Sequence, residues 1–170
     1  MARDKSFDSL KFLLICLVVF GHAIEKQVGI NHLKLTCFSF IYTFHMPLFI
    51  FISGYFSKNM TWEKFKKSFK TLFPTYVVFQ TFLTIPSMIF SENFEWKYAL
   101  FPQSVLWYIA GLLIWRFFFC IIEKFKLSFL PVFTTFMVIS ILLGFITEVI
   151  PFIRIITFFP YFILGYYCTT

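Results

Sequence analysis

The sequence predicts an all-α polytopic membrane protein: a transmembrane helix bundle of about six spans with both termini cytoplasmic. Three observations predict it. Of 170 residues, 59% are hydrophobic and 14% charged, whereas water-soluble chains are ~45–50% apolar and ~25% charged. The apolar residues, 29 of them Phe, gather into runs suited to a hydrocarbon core ~30 Å thick. The basic residues fall mostly between alternate runs. This composition excludes disorder, a disulfide-rich secreted scaffold and a simple soluble α/β domain. Six spans use nearly the whole chain, so residues 1–170 read as one transmembrane domain.

The first span covers residues 7–24, ~27 Å at 1.5 Å per residue. Its apolar run ends in Gly21-His22-Ala23 and a second run follows quickly, so it reads as a retained span and not a cleaved leader. The second, 35–56, carries His45-Met46-Pro47 at its midpoint and Ser53-Gly54 near its end. Proline removes a backbone hydrogen bond and kinks a helix, which membrane helices tolerate when neighbours repair the loss. A lysine-rich loop follows (Lys58, Lys64, Lys66, Lys67, Lys70), then a third span, 71–90, with Pro74 and Pro86. The fourth and fifth spans are 105–122 and 129–147. The sixth, 155–168, is short and contains Pro160; it reads as tilted, re-entrant or cut off by the chain end.

The formal charge is +7. Its placement points to anionic lipid headgroups of the bilayer, and no nucleic-acid partner is expected. With the N-terminus inside, the inner segments hold Arg3, Lys5, Lys11, the lysines from Lys58 to Lys70, Lys124 and Lys126. The outer ones hold Lys26, Lys34, Lys97 and Arg154, a positive-inside bias. Trp96, Trp107 and Tyr108 then fall at an outer interface. The four cysteines lie far apart without metal-ligand spacing and read as small hydrophobes, with no metal expected.

Asp8, Lys11, Ile15, Val18 and His22 recur at helical spacing on one face of the first span. Lys11 and His22 are ~16 Å apart along the axis. One helix thus offers an ionisable pair near the inner surface and an imidazole toward the outer one. Ionisable groups in a span usually face protein or a water-filled cavity. Asp8 and Lys11 also read as a plain interfacial pair with Lys11 snorkelling. His22 suits a proton acceptor near neutrality, or a structural role. His45 either bonds a neighbouring helix or completes a polar cavity with His22. Arg116 and Arg154 are candidate anion holders, Gln103 and Ser104 could meet a polar acceptor at the outer surface, and His32 reads as an ordinary loop residue. No GxSxG elbow, P-loop or Rossmann fingerprint occurs, so a covalent serine mechanism has no support.

The blocks FDSLKFLLICLVVFGHAI, FHMPLFIFISGYFSK, LWYIAGLL and RIITFFPYFILGYY occur in this order. Together they resemble the membrane-bound acyltransferase family 3, and within it the fucose 4-O-acetylase-like sugar O-acetyltransferases. The resemblance runs from Phe7 to Tyr167 and covers the N-terminal half of the family's pattern. The expectation is therefore a chain truncated at its C-terminus, whose missing half would complete the cavity.

The resemblance implies transfer of an acetyl group from acetyl-CoA, as acyl-donor substrate, to a hydroxyl of a cell-envelope sugar or polysaccharide precursor. It implies His22 as the catalytic base, with His45 helping to form the reaction cavity. Asp8 and Lys11 match the family's charged opening and Arg154 the arginine before its Pro-Phe-rich span, a set expected to serve the donor. Two other readings stay open. One is a transporter or flippase-like protein whose broken helices at Pro47, Pro86 and Pro160 bracket a central site. The other is an inactive acyltransferase fragment that needs its other half.

Overall fold

The computed structural model describes residues 5–25, 32–90, 99, 101–103, 105–145 and 151–168. The described residues form six helices and no strand: α1 (Lys5–Glu25), α2 (His32–Tyr55), α3 (Trp62–Phe90), α4 (Leu106–Phe125), α5 (Phe129–Gly144) and α6 (Pro151–Tyr167). Three contain stretches long and apolar enough to cross a membrane: 35–55 in α2, all of α3, and all of α4. The others hold shorter apolar stretches. Large apolar side chains lie on the outside, among them Phe12, Phe40, Phe82, Phe90 and Leu130. Such a surface suits lipid and not water.

The core sits where α6 meets α2, α4 and α5. Phe159, Phe162 and Ile163 of α6 pack with Trp115 and Phe119 of α4, Ile50 of α2 and Val132 of α5. The α2 and α6 backbones touch. A methyl group on Gly54 would strike the carbonyl of Phe162, and one on Gly165 the carbonyl of Phe51. Small residues are what let membrane helices approach this closely. α1 leans on α2, and α3 on α4.

Several sequence expectations change here. The lysine-rich segment, expected as a loop before a span at 71, is mostly helix, because α3 begins at Trp62. Thr61 Oγ1 accepts from the Lys64 amide at 3.3 Å at the helix start, and Lys and Glu propagate helix well. Phe65 and Phe69 give this stretch an apolar stripe at i, i+4, and Phe65 packs on Trp62 and Phe117. His32, read as a loop residue, opens α2. α6 begins at Pro151, so Arg154 lies in its first turn and not ahead of it.

Pro47, Pro86 and Pro160 sit inside continuous helices, not broken ones. At Pro160 the repair is visible. The missing N–H would have met the Ile156 carbonyl, and Ser140 Oγ of α5 shares its hydrogen between the Phe136 carbonyl at 2.7 Å and that oxygen at 3.2 Å. Trp115 of α4 donates its indole N–H to the neighbouring Ile155 carbonyl at 2.9 Å. Trp107 does not face outward as an interfacial anchor. It is 7% exposed and packs against Phe158. Tyr108 is turned inward to Ser53. Trp96 lies outside the described residues.

Candidate active site

α1 ends beside the N-terminal half of α2, and this hairpin brings the first two histidine motifs together. Gly21 is buried against the Tyr42 ring. The ring of His22 meets Tyr42 edge-on at 6.4 Å, and Tyr42 meets His45 at 4.7 Å. The phenol thus stands between the two imidazoles. His45 is 3% exposed. Its Nδ1 lies 2.7 Å from the Ile41 carbonyl, one helical turn back.

These groups open onto a cavity of about 560 Å³, within the ~300–1,000 Å³ of small-molecule sites. α1 contributes Ile15, Val18, Val19 and His22, and α2 contributes Tyr42, His45, Met46 and Phe49. Val105, Trp107 and Tyr108 come from the start of α4, and Arg154 and Phe158 from α6. His22, His45 and Arg154, far apart in sequence, therefore share one mostly apolar chamber with two phenols. Nδ1 of His45 must carry the hydrogen it gives to Ile41, because a carbonyl only accepts. In the neutral ring this leaves Nε2 as a proton acceptor.

Tyr108 was read from sequence only as an interfacial ring, yet it is a wall of the cavity. Its hydroxyl lies 2.6 Å from Ser53 Oγ, which donates to the Phe49 carbonyl at 2.8 Å. With the serine hydrogen committed there, the phenol donates to the serine and turns lone pairs to its other neighbours. Nothing in the sequence gave this partner, which lies 55 residues away on α2.

The expected donor set divides. Arg154 stands on the cavity with His22. Lys11 is at the other end of α1, its Nζ 3.6 Å from the centre of the Phe56 ring. Asp8 lies in the opening turns of α1, and its side chain is outside the described residues. Gln103 does not reach toward an outer ligand: its amide N–H and side chain bond Gln80 and Thr84 of α3 at 3.2 and 3.1 Å. Gln80 also donates to the Phe101 carbonyl at 2.8 Å, pinning the segment that leads into α4. Ser104 lies outside the described residues. No group of three or more His, Cys, Asp or Glu placed to hold a metal occurs among the described residues.

An apolar helical bundle enclosing a histidine-bearing cavity is the setting of an integral-membrane acyltransferase. The chain belongs to the acyltransferase family: the family described as "Acyltransferase domain" matches residues 4–170. Its relatives include two proteins called "Nodulation protein NolL". The one from Mesorhizobium japonicum is 45% identical over 65 residues, 36% of this chain and 17% of that protein. The one from Sinorhizobium fredii is 46% identical over 56 residues, 31% of this chain and 15% of the relative. The matched stretch thus spans under a fifth of either relative. No solved structure matches this chain.

Proposed function

We propose that this chain carries the acceptor-activating site of a membrane O-acetyltransferase, which moves an acetyl group from acetyl-CoA to a hydroxyl of a cell-envelope sugar or glycan precursor. The observation that carries this reading is the convergence of His22, His45 and Arg154 on one chamber in a chain of the acyltransferase family. His22 takes the proton from the sugar hydroxyl as that oxygen attacks the thioester carbonyl. The new C–O bond gives a tetrahedral oxyanion, and the Arg154 guanidinium is the permanent cation on the cavity wall able to stabilise it. Collapse breaks the C–S bond. The thiolate of coenzyme A leaves and takes the proton back from His22, so the products are the sugar acetyl ester and free thiol.

In this reading the chain crosses the cell membrane six times with both termini cytoplasmic, and serves as the N-terminal part of the acyltransferase domain. The donor enters from the inner side, where Asp8 and Lys11 lie, and its thioester reaches toward Arg154 and His22. The mostly apolar chamber limits water, which would otherwise compete with the sugar for the acetyl group.

The test is transfer itself. Membranes holding the full protein are given radiolabelled acetyl-CoA and envelope glycan. Label enters the glycan with the wild type and falls by roughly a hundredfold or more with His22→Ala at equal membrane level. Undiminished labelling by the variant removes His22 from the reaction.

A further inference from the structure

We propose that Arg116, Ser57 and Ser68, with Lys11, Lys58 and Lys64 around them, form a phosphate-binding site at the inner end of the bundle. Arg116 of α4 lies level with the connection between α2 and α3. Its Nε donates to Ser57 Oγ at 3.1 Å, and its Nη1 donates to Ser68 Oγ of α3. Ser57 is 2% exposed and gives its own hydrogen to the Ser53 carbonyl at 2.7 Å. A guanidinium has five N–H donors. Two are spent on these neutral hydroxyls, and the rest form a fork that matches phosphate.

Three ammonium groups converge on the same connection. Lys11 sits 3.6 Å above the Phe56 ring, and Lys58 sits 4.0 Å above the Tyr55 ring while donating to the Cys168 carbonyl. Lys64 donates to the Asn59 carbonyl at 2.9 Å. All four cations thus rest on rings, hydroxyls or carbonyls. Among the described residues none has a carboxylate at ion-pair distance. Glu123, two turns further along α4, takes its hydrogen bond from Tyr166 at 2.6 Å. Lys11, Lys58 and Arg116 are partly buried and Lys64 is exposed at the rim. Partly buried charges are ordinarily paired, and four of one sign in one corner repel. A ligand bearing several phosphate charges relieves both costs.

The site also connects to the chamber. From Arg116 the contacts run through Ser57 and Ser53 to the Tyr108 hydroxyl on the cavity wall. Arg116 and Tyr108 are ~12 Å apart along α4. The phosphate has two available sources: the nucleotide end of acetyl-CoA, or the headgroup of an anionic phospholipid. Only the first rests on the proposed acetyl transfer.

The experiment measures coenzyme A binding by calorimetry on the full protein in detergent, and co-purified anionic phospholipid by native mass spectrometry. Arg116→Gln is expected to weaken coenzyme A roughly tenfold or more, Arg116→Lys less, and added salt to weaken the wild type. Free coenzyme A carries no acetyl group, so this binding is read without any transfer step, and loss of the transfer mechanism leaves the site standing. Anionic lipid retained by the wild type and lost from Arg116→Gln, without coenzyme A binding, supports the site with a headgroup as its ligand. Should Arg116→Gln not fold, Ser68→Ala and the double variant Lys58→Gln/Lys64→Gln carry the test, with several-fold weakening expected. Folded variants that match the wild type for both ligands overturn the proposal.

Discussion

His45 gives one ring nitrogen to the Ile41 carbonyl and keeps the other for the cavity it lines. Asparagine can imitate the first function and not the second, because its amide N–H falls near the position of Nδ1. His45→Asn is therefore expected to stay folded, with a melting temperature close to wild type, while acetyl transfer drops at least about tenfold. Transfer at the wild-type rate would make His45 a packing residue. The motif His-x-Pro was legible in the sequence as a buried imidazole. Which nitrogen is occupied was not, since that depends on the carbonyl the side chain meets when the helix forms. Tyr108 teaches the same lesson more strongly: read as an interfacial ring, it became a cavity wall because α4 packs it against Ser53 of α2.

Among the elements, α2 and α6 depend on contact between backbones. At Gly165 an added methyl would land in the Phe51 carbonyl, and neither helix can yield there without opening the core. Gly165→Ala is expected to lose about 1–3 kcal/mol, seen as a lower melting temperature in detergent. Gly144→Ala is the matched control, because its added methyl meets open space at the end of α5. Equal melting of the two variants would show that the α2–α6 seam does not require glycine. The existence and order of six helices were readable from apolar runs. The start of α3 was misplaced because lysines were taken to mark a loop, whereas their long side chains suit a helix whose opening turns emerge from the bilayer.

For the whole molecule, the side of the membrane each connection faces can be tested directly. In a cysteine-free background, Glu63→Cys and Ser128→Cys are expected to resist a membrane-impermeant maleimide in intact cells. Ala99→Cys is expected to react. The reverse pattern would invert the orientation that the lysine and arginine asymmetry gives. In the proposed orientation the basic corner around Arg116 lies at the cytoplasmic end of the bundle and the His22 chamber toward the opposite face.

The sequence alone determined the solvent: a chain this rich in phenylalanine and poor in charge has its free-energy minimum in lipid, and its apolar runs must be helical there because hydrocarbon leaves backbone groups no other partner. It also singled out the two imidazoles, as ionisable groups that are costly in a span, and Arg154 as a candidate anion holder beside the last span. Tertiary packing decided which of them meet. Lys11 and His22 share a helix yet serve opposite ends, Arg154 joins His22 from the far end of the chain, and Arg116 finds its serines on two other helices. Those meetings rest on long-range contacts, such as the glycine-close packing of α2 on α6, that periodicity along one helix does not encode.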